Sequence, residues 1–274
     1  MKNEMLASVV LCLRAVQTCN LPQTIGNIVH AQLLGWIQEK DCKLSSRWHN
    51  LPDLKPFSIS PIIGKFAKAS TGKVIVKNQL YWLKIGLLQK KGFDILSDVL
   101  FPLAARQAAI KIGQIPFVLE EIKLEGHPWA RVSGWHELIF RNGRDSNNDG
   151  NTFLLRFLTP TTFRRGDINR ILPDPELVFG SLLDRWNAYA PTKYPLELKQ
   201  RFTEEVVVSR IAIRSDSYSL KHQSLIGFLG SCVYSVISND RELVDILKNL
   251  SALAIYSGVG QKTTMGMGVC RAVN

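Results

Sequence analysis

The chain has 274 residues, 34 Lys+Arg against 23 Asp+Glu, a formal net charge of +11 and 46% hydrophobic residues. That length holds one large domain or two of about 100–150 residues each, and the apolar share excludes wholesale disorder. The basic excess points to polyanionic partners: RNA, DNA or an anionic membrane surface.

Met5 to Val16, rich in Val and Leu, reads as a strand. Its run Met5–Leu13 has the look of a leader, but Glu4 sits where positive charge belongs, Arg14 closes the run, and no small-x-small site follows. A buried first strand is therefore expected. Gln23 to Lys40 reads as a helix, with Pro22 near its start and apolar residues at Ile25, Ile28, Val29, Leu33, Trp36 and Ile37. A second, short helix spans Leu44 to His49, before Pro52. Lys55–Ile62 and Lys73–Leu87 are strand-like, Phe93–Ala109 is helical despite Pro102, and Ile115–Leu124 is again a strand. This is β-α-β-β-α-β, the ferredoxin-like order.

Arg141–Gly150 (RNGRDSNNDG) has loop and turn chemistry, read either as lying near the expected domain boundary or as a hairpin tip within the second domain. Beyond it the order repeats: strand from Asn151 to Leu158, helix Pro175–Tyr189, strands Val206–Arg214 and Leu225–Ile237, helix Arg241–Ala254, strand Met265–Val273. The expected fold class is α+β, two tandem ferredoxin-like (RRM-like) domains over residues 1–127 and 128–274. The run Leu225–Ile237 is the longest apolar one; at thirteen residues, with Gly and Ser inside, it is too short to span a membrane.

Five cysteines (Cys12, Cys19, Cys42, Cys232, Cys270) form no CxxC pair and are odd in number. Neither a zinc site nor a disulfide framework fits, and a cytoplasmic location is expected. No metal and no cofactor are expected: the five histidines lack ligand spacing, and no carboxylate cluster suggests two-metal chemistry.

The charge is unevenly laid. Residues 1–137 carry 13 Lys and 4 Arg; residues 138–274 carry 12 Arg and 5 Lys. Between Asp53 and Asp94 there are eight lysines and no acid, a stretch expected to face phosphates. Gly150–Gly166 is also free of acids and holds Arg156, Arg164 and Arg165, which suit bidentate contacts to phosphates or base edges.

The chain ends in a glycine-rich segment, Gly258, Gly260, Lys262, Thr263, Thr264, Gly266 and Gly268 being its marked positions. It is neither a Walker A loop nor a dinucleotide fingerprint. Two readings stand side by side: a phosphate-tracking loop of backbone N–H groups, lysine and hydroxyls, or a helix C-cap followed by a turn and a glycine-loosened edge strand.

SGVGQKTTMGMGVCR resembles the C-terminal glycine-rich loop of the Cas6 family, the CRISPR repeat-RNA processing endoribonucleases. NIVHAQLLGWI, RWHNLPDLKPFSISPI and FLTPTTFRRGDINRILPDPELVFGSLLDRWNAYAP are similar, in family order, to its first helix, its His-to-Lys segment and the opening of its second domain in the bacterial branch. The resemblance implies two ferredoxin-like domains and metal-independent cleavage of precursor CRISPR RNA within each repeat. In that reaction the ribose 2′-OH attacks the adjacent phosphorus, leaving a 2′,3′-cyclic phosphate and a 5′-OH. It implies repeat RNA, precursor and mature, as partner, an effector complex as recipient of the product, no membrane, and a monomer or homodimer. The alternative is a non-catalytic repeat-RNA-binding subunit of the same fold.

The resemblance puts His49, at the end of the short helix, first among catalytic candidates, since imidazole titrates near neutrality. Lys55, six residues on, is a candidate to stabilise phosphorane or leaving-group charge. His30, on the first helix, lies off the angle of Leu33, Trp36 and Ile37 and completes a base–acid pair. An archaeal branch of the family uses a tyrosine on this helix; the aligned position here is Leu34, which moves weight onto His30. Arg164, Arg165 and the glycine segment are the RNA-binding candidates.

Overall fold

The Val- and Leu-rich opening segment, Met5–Ala15 (β1), becomes the central strand of an antiparallel sheet in the computed structural model, which describes residues 5–52, 54–70, 72–144 and 150–273. Ala7, Val9, Leu11 and Leu13 pack among the helices, while Val10 and Cys12 on the other face meet Trp129 and Val269. Burial on both faces explains the near-continuous apolar run. Helix α1 (Ile25–Gln38) lays Val29, Leu33, Trp36 and Ile37 on the sheet, and α2 (Cys42–Asn50) follows, its N-cap Asp41 accepting from the Leu44 amide at 2.8 Å. Strands β2 (Phe57–Ile59) and β3 (Leu80–Leu87), helix α3 (Lys90–Ala105), and strands β4 (Ala109–Ile112) and β5 (Ile115–Lys123) complete the first half. The strand order is β2-β3-β1-β5-β4. Strand β6 (Arg131–Gly134) also pairs with β1, so the first sheet draws on residues beyond the division expected at 127/128.

Helix α4 (Trp135–Arg144) leads to the second sheet, built from β7 (Thr152–Thr161). A small hairpin, β8 (Phe163–Arg165) and β9 (Ile168–Arg170), precedes α5 (Pro175–Tyr189), which opens on a proline whose missing N–H costs nothing there. Then come α6 (Leu198–Glu205), β10 (Val206–Ser219), β11 (Ser224–Val236), α7 (Arg241–Ser257) and β12 (Cys270–Val273), in sheet order β10-β11-β7-β12. Both halves thus carry the β-α-β-β-α-β arrangement with the first strand flanked by the third and fourth. The fold is two tandem ferredoxin-like units.

Several expected boundaries shift. Lys73–Leu87 is not one strand: Gly72–Ile75 pairs with Cys19–Asn20 and Ala67–Ala69 in a small separate sheet, and Asn78 turns the chain at φ 65° before β3. The helix expected over Phe93–Ala109 runs instead over Lys90–Ala105, and Ala109 already opens β4, hairpinned to β5 through Gly113 at φ 63°. Arg141–Arg144 of the expected loop belong to α4, while 145–149 lie outside the described residues. The closing strand begins at Cys270, not Met265, because Thr263–Met265 forms a 3-10 turn.

The halves share a core. Leu6 and Leu88 from the first sit in the cluster formed by α5, α7 and the second sheet. The Ser58 hydroxyl donates to the Tyr256 carbonyl at 2.7 Å, and that carbonyl approaches Gly86 so closely that a Cβ there would lie 1.9 Å from it. Lys84, one of the eight lysines expected on the surface, is completely buried at this junction and donates to the Ser58 hydroxyl at 3.1 Å. Among the described residues, no helix is long and apolar enough to cross a membrane.

Candidate active site

The short helix α2 ends at Asn50, leaving carbonyls without partners in its last turn. Lys55 supplies one: its Nζ donates to the carbonyl oxygens of Trp48, at 2.7 Å, and His49, at 2.5 Å. The lysine is half-buried, and burial pushes its pKa down. His49 itself is exposed on the same turn. Trp48 points the other way, stacking on Phe57 of β2 at 5.3 Å between ring centres.

His30 also packs against Phe57, 5.6 Å ring to ring. Its position off the main apolar stripe does not leave it in solvent. It is 8% exposed, because the glycine-rich segment closes over this face of α1. Its Nδ1 is 2.8 Å from the Thr264 carbonyl oxygen. A carbonyl only accepts, so Nδ1 carries the hydrogen, and in the neutral ring Nε2 keeps the lone pair. Burial lowers the His30 pKa; the Thr264 contact raises it, and Lys55 and His49 push it down through space. The structure therefore brings His30, His49 and Lys55 into one electrostatic neighbourhood. Leu34, at the tyrosine position of the archaeal branch, is buried in the core, one turn from His30.

The glycine segment is mostly interior. Gly258, Gly260, Gly266 and Gly268 are buried with φ between 66° and 93°. Three of their amides are spent inside the protein: Gly258 on the Ala254 carbonyl, Gly260 on the Ser181 hydroxyl, Gly268 on the Pro160 carbonyl. The reading of these three amides as an anion-tracking row is corrected: the glycines are there for left-handed backbone and close approach. Thr263 is buried, and Thr264 directs its carbonyl to His30; Lys262, at φ 56°, is exposed. Sequence reasoning missed Arg185, a buried guanidinium on α5 that donates to the Gly260 carbonyl at 2.6 Å.

Arg164 and Arg165 lie on the exposed β8–β9 hairpin. Arg164 donates to the Gly166 carbonyl at 2.8 Å and pairs with Asp167; Arg165 pairs with Glu176. These are surface ion pairs of small worth, open to exchange for a phosphate. The hairpin adjoins the glycine segment, where the Gln261 side chain donates to the Asn169 side-chain oxygen at 2.6 Å. The hairpin is thus tied to the glycine segment through Gln261, and the glycine segment to His30 through Thr264. Among the described residues, no group of three or more His, Cys, Asp or Glu side chains is placed to hold a metal ion.

The family model for CRISPR-associated endoribonuclease Cas6 matches residues 155–270. A curated Cas6 endoribonuclease of Mycobacterium tuberculosis is 32% identical over 120 residues, 43% of this chain and 38% of that protein, so the matched segment spans well under half of the relative. Among solved structures, a Cas6 product complex from Thermus thermophilus superposes with a TM-score of 0.80 at 26% identity, over 98% of this chain and 100% of the other. A Cas6 substrate mimic complex gives 0.74 at 27% identity, with 98% and 100% covered. The tandem fold, the glycine segment and the ordered motifs agree with these comparisons, in which residues 155–270 match the Cas6 family model and 98% of the chain superposes on solved Cas6 structures.

Proposed function

We propose that the protein cleaves CRISPR repeat RNA by metal-independent transesterification. The ribose 2′-oxygen bonds to the adjacent phosphorus, the bond from phosphorus to the 5′-oxygen breaks, and the products carry a 2′,3′-cyclic phosphate and a 5′-OH. His30 takes the 2′-OH proton on Nε2, the nitrogen left free by its Nδ1 contact. His49, exposed at the end of α2, returns a proton to the leaving 5′-oxygen. Lys55, which already holds the His49 carbonyl, offsets charge on the phosphorane and fixes the turn that carries His49.

The observation that carries this reading is the convergence of His30, His49 and Lys55, with one histidine committed to a single tautomer. The similarity to solved Cas6 product and substrate mimic complexes supports it. The RNA track runs from the exposed lysines in and beside the small sheet, Lys65, Lys68, Lys73 and Lys77, and from the β8–β9 hairpin with Arg164 and Arg165, past Lys262 to the histidines.

The test uses labelled repeat RNA from the source organism in EDTA, beside the same RNA with one 2′-deoxy nucleotide at the cut site. The proposal expects cutting of the first alone. Binding of both without cutting would establish the alternative, a repeat-RNA-binding subunit.

A further inference from the structure

Resting on the role proposed for His30, we infer that Tyr218 and Arg185, both in the second half, are positioning residues that act on His30 through the carbonyl of Thr264. His30 belongs to α1 in the first half, yet its Nδ1 partner lies 234 residues downstream. The direction of that carbonyl is set by the turn Thr263–Met265, bounded by two left-handed residues, Lys262 at φ 56° and Gly266 at φ 93°. Such a turn needs outside anchors to stay in place.

Two are present. The Tyr218 hydroxyl, from β10, donates to the Met265 carbonyl at 2.9 Å, one peptide beyond Thr264. Burial pushes the Tyr218 pKa far up, so the hydroxyl stays a donor throughout the working range. The Met265 oxygen is also pressed against Gly26 of α1, where a Cβ would lie 1.9 Å away. Upstream, Arg185 donates from one terminal nitrogen to the Gly260 carbonyl at 2.6 Å and the Thr263 hydroxyl at 3.3 Å, and from the other to the Ser181 carbonyl and hydroxyl. These acceptors are all neutral. Burial pushes the guanidinium down to about 10, a cost that an apolar residue would avoid.

Consecutive carbonyls are therefore held from different elements: Thr264 by His30 of α1, Met265 by Tyr218 of β10 with Gly26 of α1 beside it. The hydrogen bonds of Tyr218 and Arg185 go to the turn and its flank, and it is through them that each acts on His30. Removing an anchor lets the Thr264 carbonyl swing, and the His30 ring then samples the tautomer with hydrogen on Nε2, which cannot take a proton from the 2′-OH. The groups that act on His30 electrostatically, Lys55 and His49, are untouched by this change.

The test compares wild type with Tyr218→Phe, which loses only the hydroxyl, and with Arg185→Met and Arg185→Lys. Long-range ¹⁵N–¹H correlation of the His30 ring in the RNA-free protein at pH 8 reads the tautomer; single-turnover rate and RNA Kd are measured alongside, with thermal melts to establish folding. The expected result is a wild-type ring with hydrogen on Nδ1 and a mixture in Tyr218→Phe. That variant's rate falls about 10- to 100-fold with its Kd within twofold of wild type, and Arg185→Lys recovers more rate than Arg185→Met. A folded Tyr218→Phe whose His30 keeps hydrogen on Nδ1 overturns the inference, whether or not its rate changes. If the wild type does not cleave, the catalytic reading fails, while the ring signals still decide whether these residues set the tautomer.

Discussion

His30 shows how one side chain is prepared by what surrounds it. Its folded pKa lies below the ordinary histidine value because burial disfavours the imidazolium. As pH falls, the unfolded chain protonates its free imidazole first, so the neutral buried ring favours folding above about pH 6.5, and that contribution is lost on acidification. Cleavage should fall on the acid side as well, with a midpoint below the usual histidine value; single-turnover rates from pH 4.5 to 8 check this, and a midpoint at or above 6.5 would contradict it. The histidine was legible in the sequence as a residue off the apolar stripe and through the family resemblance of its helix. Its burial was not, because the cover comes from the far end of the chain, and no local periodicity reports a contact between residues 30 and 264. The same distance hid Arg185: in sequence it is one more arginine in a helix.

The elements that the sequence specified well are those whose pattern is decided locally. Helix α5 begins at Pro175 and ends at Tyr189, as its proline start and periodicity predict. The glycine segment is the opposite case. Its glycines fit two readings equally, and only packing separates them, since three amides turn out to be bonded within the protein. Gly26 tests that packing. In an ordinary helix Gly→Ala is stabilising by about 0.5–1 kcal/mol. Here the new methyl meets the Met265 oxygen, so Gly26→Ala should destabilise by about 1–3 kcal/mol, read as a lowered Tm, and slow cleavage with it. A raised Tm would show that α1 and the glycine segment are not in this contact. Similarly, the strand expected over Lys73–Leu87 failed because the turn at Asn78 carries no glycine or proline to announce it.

At the scale of the whole molecule, net charge predicted a polyanion partner but not which lysines meet it. Of the eight in the acid-free stretch, Lys84 is buried, Lys90 pairs with Asp94, Lys91 with Asp41, and Lys55 caps α2. Lys65, Lys68, Lys73 and Lys77 remain exposed. Replacing these four by Ala should weaken RNA binding and reduce the salt slope of log K by up to about 3; an unchanged slope in a salt titration would remove them from the RNA track. Lys84, at the junction of the halves, has its pKa pushed down by burial to about 7 from 10.5. Between those values the unfolded chain binds the extra proton, so stability rises with pH across that window. Lys84→Met should flatten the rise by up to about 1.4 kcal/mol per pH unit and raise the Tm at pH 7, as denaturation curves at pH 7 and 9.5 would show. The central claim is that His30 and His49 cut RNA together without a metal. It is tested most directly by single-turnover cleavage of repeat RNA in EDTA with saturating wild type, His30→Ala or His49→Ala. The account predicts cutting by wild type and rates lower by about 10²–10⁴-fold in each variant, with RNA affinity retained. A wild type inert in EDTA, or either variant cutting at the wild-type rate, would contradict it.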